Sequence, residues 1–370
     1  MKKRITSLIL ILALTLSLAS PIFAQPQTTN MEDFYQILYL IQENYVYDIE
    51  ESELIEGAIK GLFYNLDDHS NYYTKEEMDI LLEDLAADFV GIGVYIKEEE
   101  GNIIIVDTIK NSPAHGAGLK SGDMILSVDG QDIKDLNISE VSQLIKGEAG
   151  TKVNIKIKRD NEKSKDYNLT RKRIKVQVVE SKILEKNIGY IKLNQFSENS
   201  HKEIEKVLKD FDNKKIKNVI LDLRDNPGGL LNESVYISRL FVPEGPIVHI
   251  KYKNGKTESY YSDLKKPKYN LVVLVNENSA SASEIFTAAI KDTKAGTIIG
   301  TPTYGKGTVQ NILTLPKGDG MKLTIAEYQS PKKNKINGIG IKPDIVVKNS
   351  GKKDLQLQKA IDWFKNPGQL

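Results

Sequence analysis

The apolar positions change rhythm several times along the chain. Residues 5 to 19 are apolar apart from Thr and Ser. They follow Lys2, Lys3 and Arg4 and lead through Pro21-Ile22-Phe23-Ala24 into a polar stretch. This order reads as a secretory signal over residues 1–24, cleaved after Ala24. The run falls short of the ~20 apolar residues of a membrane span, and an uncleaved anchor is the alternative reading. From residue 31 to about 85 the rhythm is helical: Phe34, Ile37, Leu38, Leu40 and Ile41 share one face, and Leu54, Ile55, Ala58, Ile59 and Leu62 another. Leu66-Asp67-Asp68-His69-Ser70 interrupts it, and Thr74 with Glu77 three residues on predicts a third helix opened by a capping box. His69, a lone loop histidine beside acids, reads as structural.

From about 88 to 172 the pattern turns to strands and tight turns. Gly91-Ile92-Gly93-Val94 precedes a strand, Asn102 to Val106 forms another, and Lys152 to Ile157 alternates cleanly. A helical pattern runs through Val141, Leu144 and Ile145. After about 175, strand and helix patterns alternate, which predicts an α/β layer structure. Strands are expected over 188–193, 218–223, 271–275, 298–300 and 309–315. Helices are expected over 201–208 and from Glu284 to Ile290.

Composition narrows the chemistry. A chain of 370 residues is long for one module, and 40% hydrophobic with 27% charged residues suffices for a packed core. Lys+Arg number 51 against 50 Asp+Glu, which argues against nucleic-acid binding through bulk positive charge. Loss of the signal leaves a slight acidic excess. The absence of cysteine excludes disulfides, thiolate metal sites and a Cys nucleophile. The four histidines, His69, His115, His201 and His249, include no pair at helical ligand spacing.

Three segments of the α/β region carry candidate chemistry. The first, Asp222-Leu223-Arg224-Asp225-Asn226-Pro227-Gly228-Gly229, takes a strand into a Gly-Gly turn. Its N–H groups can hold negative charge, although a plain strand-to-helix turn has the same composition. In the second, Ser279-Ala280-Ser281-Ala282-Ser283-Glu284, three serines stand where a strand meets a helix. Ser281 and Glu284 fit a capping box, the reading that spacing alone favours. The other reading is a nucleophile beside helix N–H groups, including that of Ala282, that stabilise an oxyanion. The third, Gly305-Lys306-Gly307-Thr308-Val309-Gln310, approaches a phosphate-binding loop. It fails because Gly307 occupies the Ser/Thr position and a strand follows. Lys306 is either a loop lysine or a buried one acting as a base.

Two resemblances join these readings. Ser112-Pro113-Ala114, Gly118-Leu119, Gly122-Asp123 and Val128-Asp129-Gly130 resemble a circularly permuted bacterial PDZ domain. In such domains the loop corresponding to Gly91, Ile92, Gly93 and Val94 holds a peptide's terminal carboxylate through backbone N–H groups. The three candidate segments, with Leu66…Asp68-His69-Ser70…Tyr72 and Gly338-Ile339-Gly340-Ile341-Lys342-Pro343-Asp344, resemble the C-terminal processing (tail-specific) peptidases over nearly the whole mature chain. The resemblance implies a crotonase-like (ClpP-like) α/β protease core with an inserted PDZ domain and N-terminal helical arms. The expected division is 1–24 signal, 25–87 helical region, 88–172 PDZ domain, 173–350 protease core and 351–370 C-terminal helical segment. It implies Ser281 as nucleophile, Lys306 as general base, Gln310 orienting that lysine, and oxyanion donors from the Gly228-Gly229 turn and Ala282. No cofactor or metal is expected. The implied partners are protein or peptide substrates with free C-termini, and the family's use of its arms makes a homodimer through the N- and C-terminal helices the matching expectation. The signal reading of residues 1–24, with no second apolar run of membrane length, gives the expected location: outside the cytoplasmic membrane, free or tethered. The chain departs from the family at Asp67-Asp68-His69-Ser70, where Asp-Pro-His-Ser is common, and at Lys146, where arginine is common. A Ser-His-Asp hydrolase and a non-enzymatic PDZ scaffold are the rival readings.

Overall fold

The computed structural model describes residues 30–160, 162–185, 187–351 and 353–365. The expected signal segment lies outside the described residues. The chain divides into two compact units at Leu66/Asp67. In the first, α1 (Met31–Asn44) and α2 (Glu51–Phe63) follow the helical rhythm. Asn30 caps α1 by accepting from the N–H groups of Glu32 at 2.8 Å and Asp33 at 3.0 Å. No helix among the described residues is long and apolar enough to cross a membrane.

The second unit begins with β1 (Asn71–Tyr73) and α3 (Lys75–Ala86). The expected capping box forms: Glu77 accepts from the Thr74 N–H at 2.8 Å and returns its own N–H to the Thr74 hydroxyl at 3.3 Å. A short strand β2 (Asp88–Gly91) then leads into the PDZ segment. This comprises β3 (Val94–Glu99), β4 (Asn102–Thr108), α4 (Pro113–Ala117), β5 (Met124–Val128), β6 (Gln131–Asp132), α5 (Ile138–Ile145), β7 (Lys152–Lys158) and β8 (Lys165–Thr170). Its sheet has the order β3-β4-β5-β7-β8, with β6 paired to β5. Ile105, Val141, Val153 and Ile155 lie in a core of its own. The chain leaves through β9 (Lys172–Lys175), which pairs antiparallel with β2, so entry and exit of the segment form one two-stranded ribbon.

The remainder holds β10 (Val179–Leu184), β11 (Ile188–Leu193), α6 (Ser200–Asn213), β12 (Asn218–Asp222), α7 (Leu231–Ser238), β13 (Gly245–Tyr252), β14 (Thr257–Ser262) and β15 (Asn270–Val275). It continues with α8 (Ala282–Thr293), β16 (Gly296–Gly300), β17 (Thr308–Thr314), β18 (Gly320–Gln329), β19 (Ile345–Val346) and α9 (Leu355–Lys365). The main sheet runs β10-β11-β12-β15-β16-β19, parallel from β11 onward with β10 antiparallel at one edge. Parallel strands between helices bury both faces, which is why the 271–275 segment is apolar throughout rather than alternating. Val273 and Val275 face a core with Ile285 and Phe286 of α8, while Val272 and Leu274 face Ala360 and Ile361 of α9. Asp222 and Arg224 anchor that last helix: Arg224 donates to Asp222 and, at 2.7 Å, to Asp354.

A second sheet, β1-β18-β13-β14 with β17 on β18, was not anticipated as such. The segments 71–73, 179–184, 245–252, 257–262 and 320–329 are strands that the pattern reading did not register. Several, such as β14 with its burial limited to Ser262, show no strong apolar alternation.

The topology places the candidate chemistry. The three segments follow β12, β15 and β16, neighbouring parallel strands, at their carboxyl ends. In open α/β sheets ligands collect at those ends.

Candidate active site

The loop after β12 is fixed by Asn226, which is fully buried. Its amide donates to the Leu193 carbonyl at 2.8 Å, and its Oδ1 accepts from the Gly228 N–H at 2.9 Å. The Asn226 carbonyl accepts from the Ala280 N–H at 3.1 Å and from the Ser283 hydroxyl at 3.0 Å. One residue thus ties the Gly-Gly turn to the serine segment. Gly228, at φ 106°, has no room for a side chain: a Cβ would lie 2.8 Å from the Ser281 Cβ and 2.9 Å from the Ala282 nitrogen. A Cβ on Gly229 would lie 2.4 Å from the Phe196 carbonyl oxygen. Both glycines serve a close backbone approach.

The structure separates the three serines. Ser279 is buried and donates to the Leu223 carbonyl at 2.7 Å, and Ser283 is buried and donates to Asn226. Ser281 is only partly buried and faces a cavity of about 280 Å3. Its backbone sits at φ 53°, ψ −115°, outside the regions that side-chain-bearing residues favour. Such strain persists only where the surroundings enforce it.

Glu284 is what enforces it. This fully buried carboxylate in the first turn of α8 accepts from the Ser281 N–H at 2.9 Å and the Lys306 N–H at 2.8 Å through Oε2. Through Oε1 it accepts from the Gly305 N–H at 2.7 Å and the Thr303 hydroxyl at 2.6 Å. Burial pushes its pKa up, opposed by these hydrogen bonds. The capping pattern was legible, but the reach of Glu284 into the Gly305-Lys306 loop was not. Its signal is a lone acid in the nine-residue stretch Ala282–Ile290, which is buried throughout. Tyr328 of β18 completes the brace from the other side. Its hydroxyl contacts the carbonyls of Ser281 (3.1 Å) and Lys306, and burial raises its pKa well above the usual phenol value.

Lys306 lines the same cavity as Ser281. Burial holds its amine below the ordinary lysine range, the Lys322 ammonium adds to that, and Asp67 and Glu284 act in the opposite sense. Gln310 faces the cavity too. A register shift between Val309 and Gln310 pairs it with Thr324, and its amide nitrogen donates to the hydroxyls of Thr308 at 2.9 Å and Thr324 at 3.0 Å. Among the described residues no hydrogen bond joins Lys306 Nζ to Ser281 Oγ or to Gln310. His69 also lies within electrostatic reach of Lys306. Burial and then Lys306 lower its pKa, while the neighbouring acids Asp67 and Asp68 act in the opposite sense.

The Gly91 to Val94 loop borders a second cavity, of about 570 Å3. Its carbonyls are already engaged: the Ala114 N–H donates to Ile92 at 2.9 Å and the Ile109 N–H to Gly93 at 3.0 Å. Gly93, at φ 80°, packs where a Cβ would meet the Ser112 Cβ at 2.3 Å. Lys146, at the end of α5, borders this cavity and pairs with Glu83 of α3. Asp84 and Gln195 line both cavities, and the Gln195 amide donates to the Asp84 carbonyl at 3.2 Å.

Three family models match parts of the chain. Residues 187–347 match the model of peptidase family S41, residues 90–168 that of the PDZ domain, and residues 19–78 that of the activating protease CtpB N-terminal domain. The chain is 38% identical over 308 residues to the carboxy-terminal processing protease CtpA of Bacillus subtilis, covering 82% of this chain and 66% of that protein. It is 36% identical over 349 residues to the carboxy-terminal-processing protease of Bartonella bacilliformis, covering 90% and 80%. Among solved structures, the photosystem II D1 C-terminal processing protease superposes with a TM-score of 0.51 at 26% identity, over 86% of this chain and 93% of that one. The chain thus spans only about two thirds of the Bacillus subtilis relative's length. An α/β core with a PDZ segment, a strained serine and a partly buried lysine lining one cavity, and similarity over most of the chain converge: the protein belongs to peptidase family S41, among the carboxy-terminal processing serine proteases.

Proposed function

We propose that this chain is an endopeptidase whose nucleophile is Ser281 and whose general base is Lys306, acting on proteins with a free C-terminus. One observation carries the reading: of three serines in one segment, Ser281 alone faces a cavity on a strained backbone, and the carboxylate that fixes it also fixes Lys306. A serine hydroxyl needs a base near neutral pH, and a charged lysine cannot serve. Burial of Lys306 favours the neutral amine. In the proposed reaction the amine takes the hydroxyl proton as Oγ attacks the scissile carbonyl. The resulting ammonium then protonates the leaving amine, and a water activated by the same lysine releases the acyl group. Gln310 donates to two threonines, leaving its Oε1 as an uncharged acceptor for the lysine.

For the oxyanion we assign the N–H groups of Ala282 and Gly229. The Gly228 N–H is taken by Asn226, and Gly228 serves instead as the gap through which substrate approaches Ser281. The Gly91 to Val94 loop is assigned to the substrate's terminal carboxylate.

The remaining expectations belong to the same reading. They are a crotonase-like core within 173–350, a PDZ domain over 88–172, helical regions at 25–87 and 351–370 that serve a homodimer, and export directed by residues 1–24. The test is digestion of casein by the wild type beside Ser281→Ala and Lys306→Met. Both variants are expected to remain folded and to lose turnover. Undiminished digestion by Ser281→Ala refutes the assignment.

A further inference from the structure

The cavity in front of Ser281 holds a second lysine that the proposed mechanism does not use. Lys322 lies on β18, two residues from Thr324, so the pleat puts both side chains on one face. That face receives Gln310 from β17, since the Thr324 hydroxyl accepts from the Gln310 amide at 3.0 Å. Lys322 and Lys306 both line the cavity of about 280 Å3. The Lys322 ammonium stands 5.6 Å from the centroid of the Tyr73 ring. Such a contact holds a cation without neutralising it. Among the described residues no carboxylate lies within ion-pair distance of it.

We propose that Lys322 is a positioning residue for the reaction, a second ammonium set in the Ser281 cavity whose charge keeps Lys306 in its neutral, proton-accepting form. The proposal rests on the Ser281–Lys306 reading above. Two ammonium groups in one partly desolvated cavity repel, and the strain is relieved when Lys306 gives up its proton. The other groups facing Lys306 do not supply this effect. Asp67, from the loop before β1, and Glu284, from α8, are carboxylates that favour the charged lysine. Asp84 of α3 lines the cavity as a further acid. His69 is held toward its neutral form by burial and by Lys306 itself. Tyr328 of β18 reaches Lys306 at its main-chain carbonyl, not at its amine. Burial and Lys322 are therefore the two influences that oppose the acids, burial being the larger.

The experiment measures the rate at which a fluorophosphonate modifies Ser281 across a range of pH, with Ser281→Ala as the blank. This reads the nucleophile without peptide recognition. Wild type is compared with Lys322→Met, which keeps the apolar stem over Tyr73, and with Lys322→Arg, which keeps the charge. For Lys322→Met the rising limb moves to higher pH. Its rate at neutral pH falls several-fold and recovers to the wild-type plateau in alkali, while Lys322→Arg keeps the wild-type limb. A one-unit displacement reads as about a tenfold change at fixed pH on that limb. A limb that coincides with wild type, or a loss of equal size at every pH, overturns the proposal. If Lys322→Met does not fold, Lys322→Gln is measured against the same criteria. A wild type with no Ser281-dependent modification overturns the dyad itself, and with it the proposal, so the two failures are distinct.

Discussion

A single carboxylate oxygen, Glu284 Oε2, accepts from the main-chain N–H of Ser281 at 2.9 Å and from that of Lys306 at 2.8 Å. The two residues come from loops that follow different strands, β15 and β16. Glu284 therefore sets their separation, and Tyr328 closes the brace at their carbonyls.

Replacing that acid should damage geometry before chemistry. Glu284→Gln puts an NH2 group where an oxygen now accepts, leaving buried N–H groups unpaired. A loss of about 1–3 kcal/mol in stability is expected. In the fraction that stays folded, a displaced nucleophile lowers kcat by about 100-fold with KM much less affected. Thermal unfolding together with steady-state kinetics on a peptide substrate checks both. An unchanged kcat would show that the brace is dispensable.

The serines flanking the site should behave oppositely to Ser281. Ser279→Ala and Ser283→Ala each remove a buried hydroxyl from a main-chain carbonyl, of Leu223 and Asn226 respectively. Each should lower stability by about 1–3 kcal/mol, because the carbonyl loses a partner. Both should retain substantial turnover below their melting temperature. Ser281→Ala should unfold like the wild type and be inactive. Denaturation curves measured beside activity distinguish the three.

Much of this was legible in the sequence, and its limits are physical. Ser281 and Lys306 lie in short contiguous motifs, but spacing alone favours a helix cap and leaves a loop lysine open, so it is the family resemblance that brings them forward. That Asn226 Oδ1 takes the Gly228 N–H was not legible, because the contact is made by a side chain folding back on its own turn. Tyr328 and Lys322 escaped notice because β18 is joined to the site through strand pairing across sequence separations that no local pattern encodes. Glu284 was seen as a cap, since its first contact is local. Its contacts with Thr303, Gly305 and Lys306 are not. The Gln310 amide is held by two threonines, Thr308 and Thr324, an arrangement that periodicity could not anticipate.

The depressed pKa of Lys306 makes a stability prediction with a definite sign. A lysine whose folded pKa lies below its unfolded value contributes stability above the unfolded pKa, and that contribution is lost as pH falls through the folded pKa. At neutral pH the partly buried amine is therefore a cost. Lys306→Met should be at least as stable as the wild type there, and its advantage should shrink as pH rises toward the ordinary lysine pKa of about 10.4. Urea denaturation at a series of pH values checks this. An advantage that grows with pH would mean that Lys306 is not depressed.

Tail recognition has its own test. If the Gly91 to Val94 loop holds a terminal carboxylate through N–H groups, amidating a peptide's C-terminus removes a charge-assisted contact worth about 1.5–3 kcal/mol. The amidated peptide should show a KM raised by about tenfold or more, with kcat little changed. Equal kinetics for free and amidated tails would place recognition elsewhere.

The most direct measurement is to locate the covalent adduct itself. Wild-type protein is treated with a fluorophosphonate, digested, and its modified peptide sequenced by mass spectrometry. The account predicts one adduct, on Ser281, formed slowly or not at all in Lys306→Met and absent in Ser281→Ala. An adduct on Ser279, Ser283 or a serine beside one of the histidines, or labelling that persists in Ser281→Ala, would contradict it.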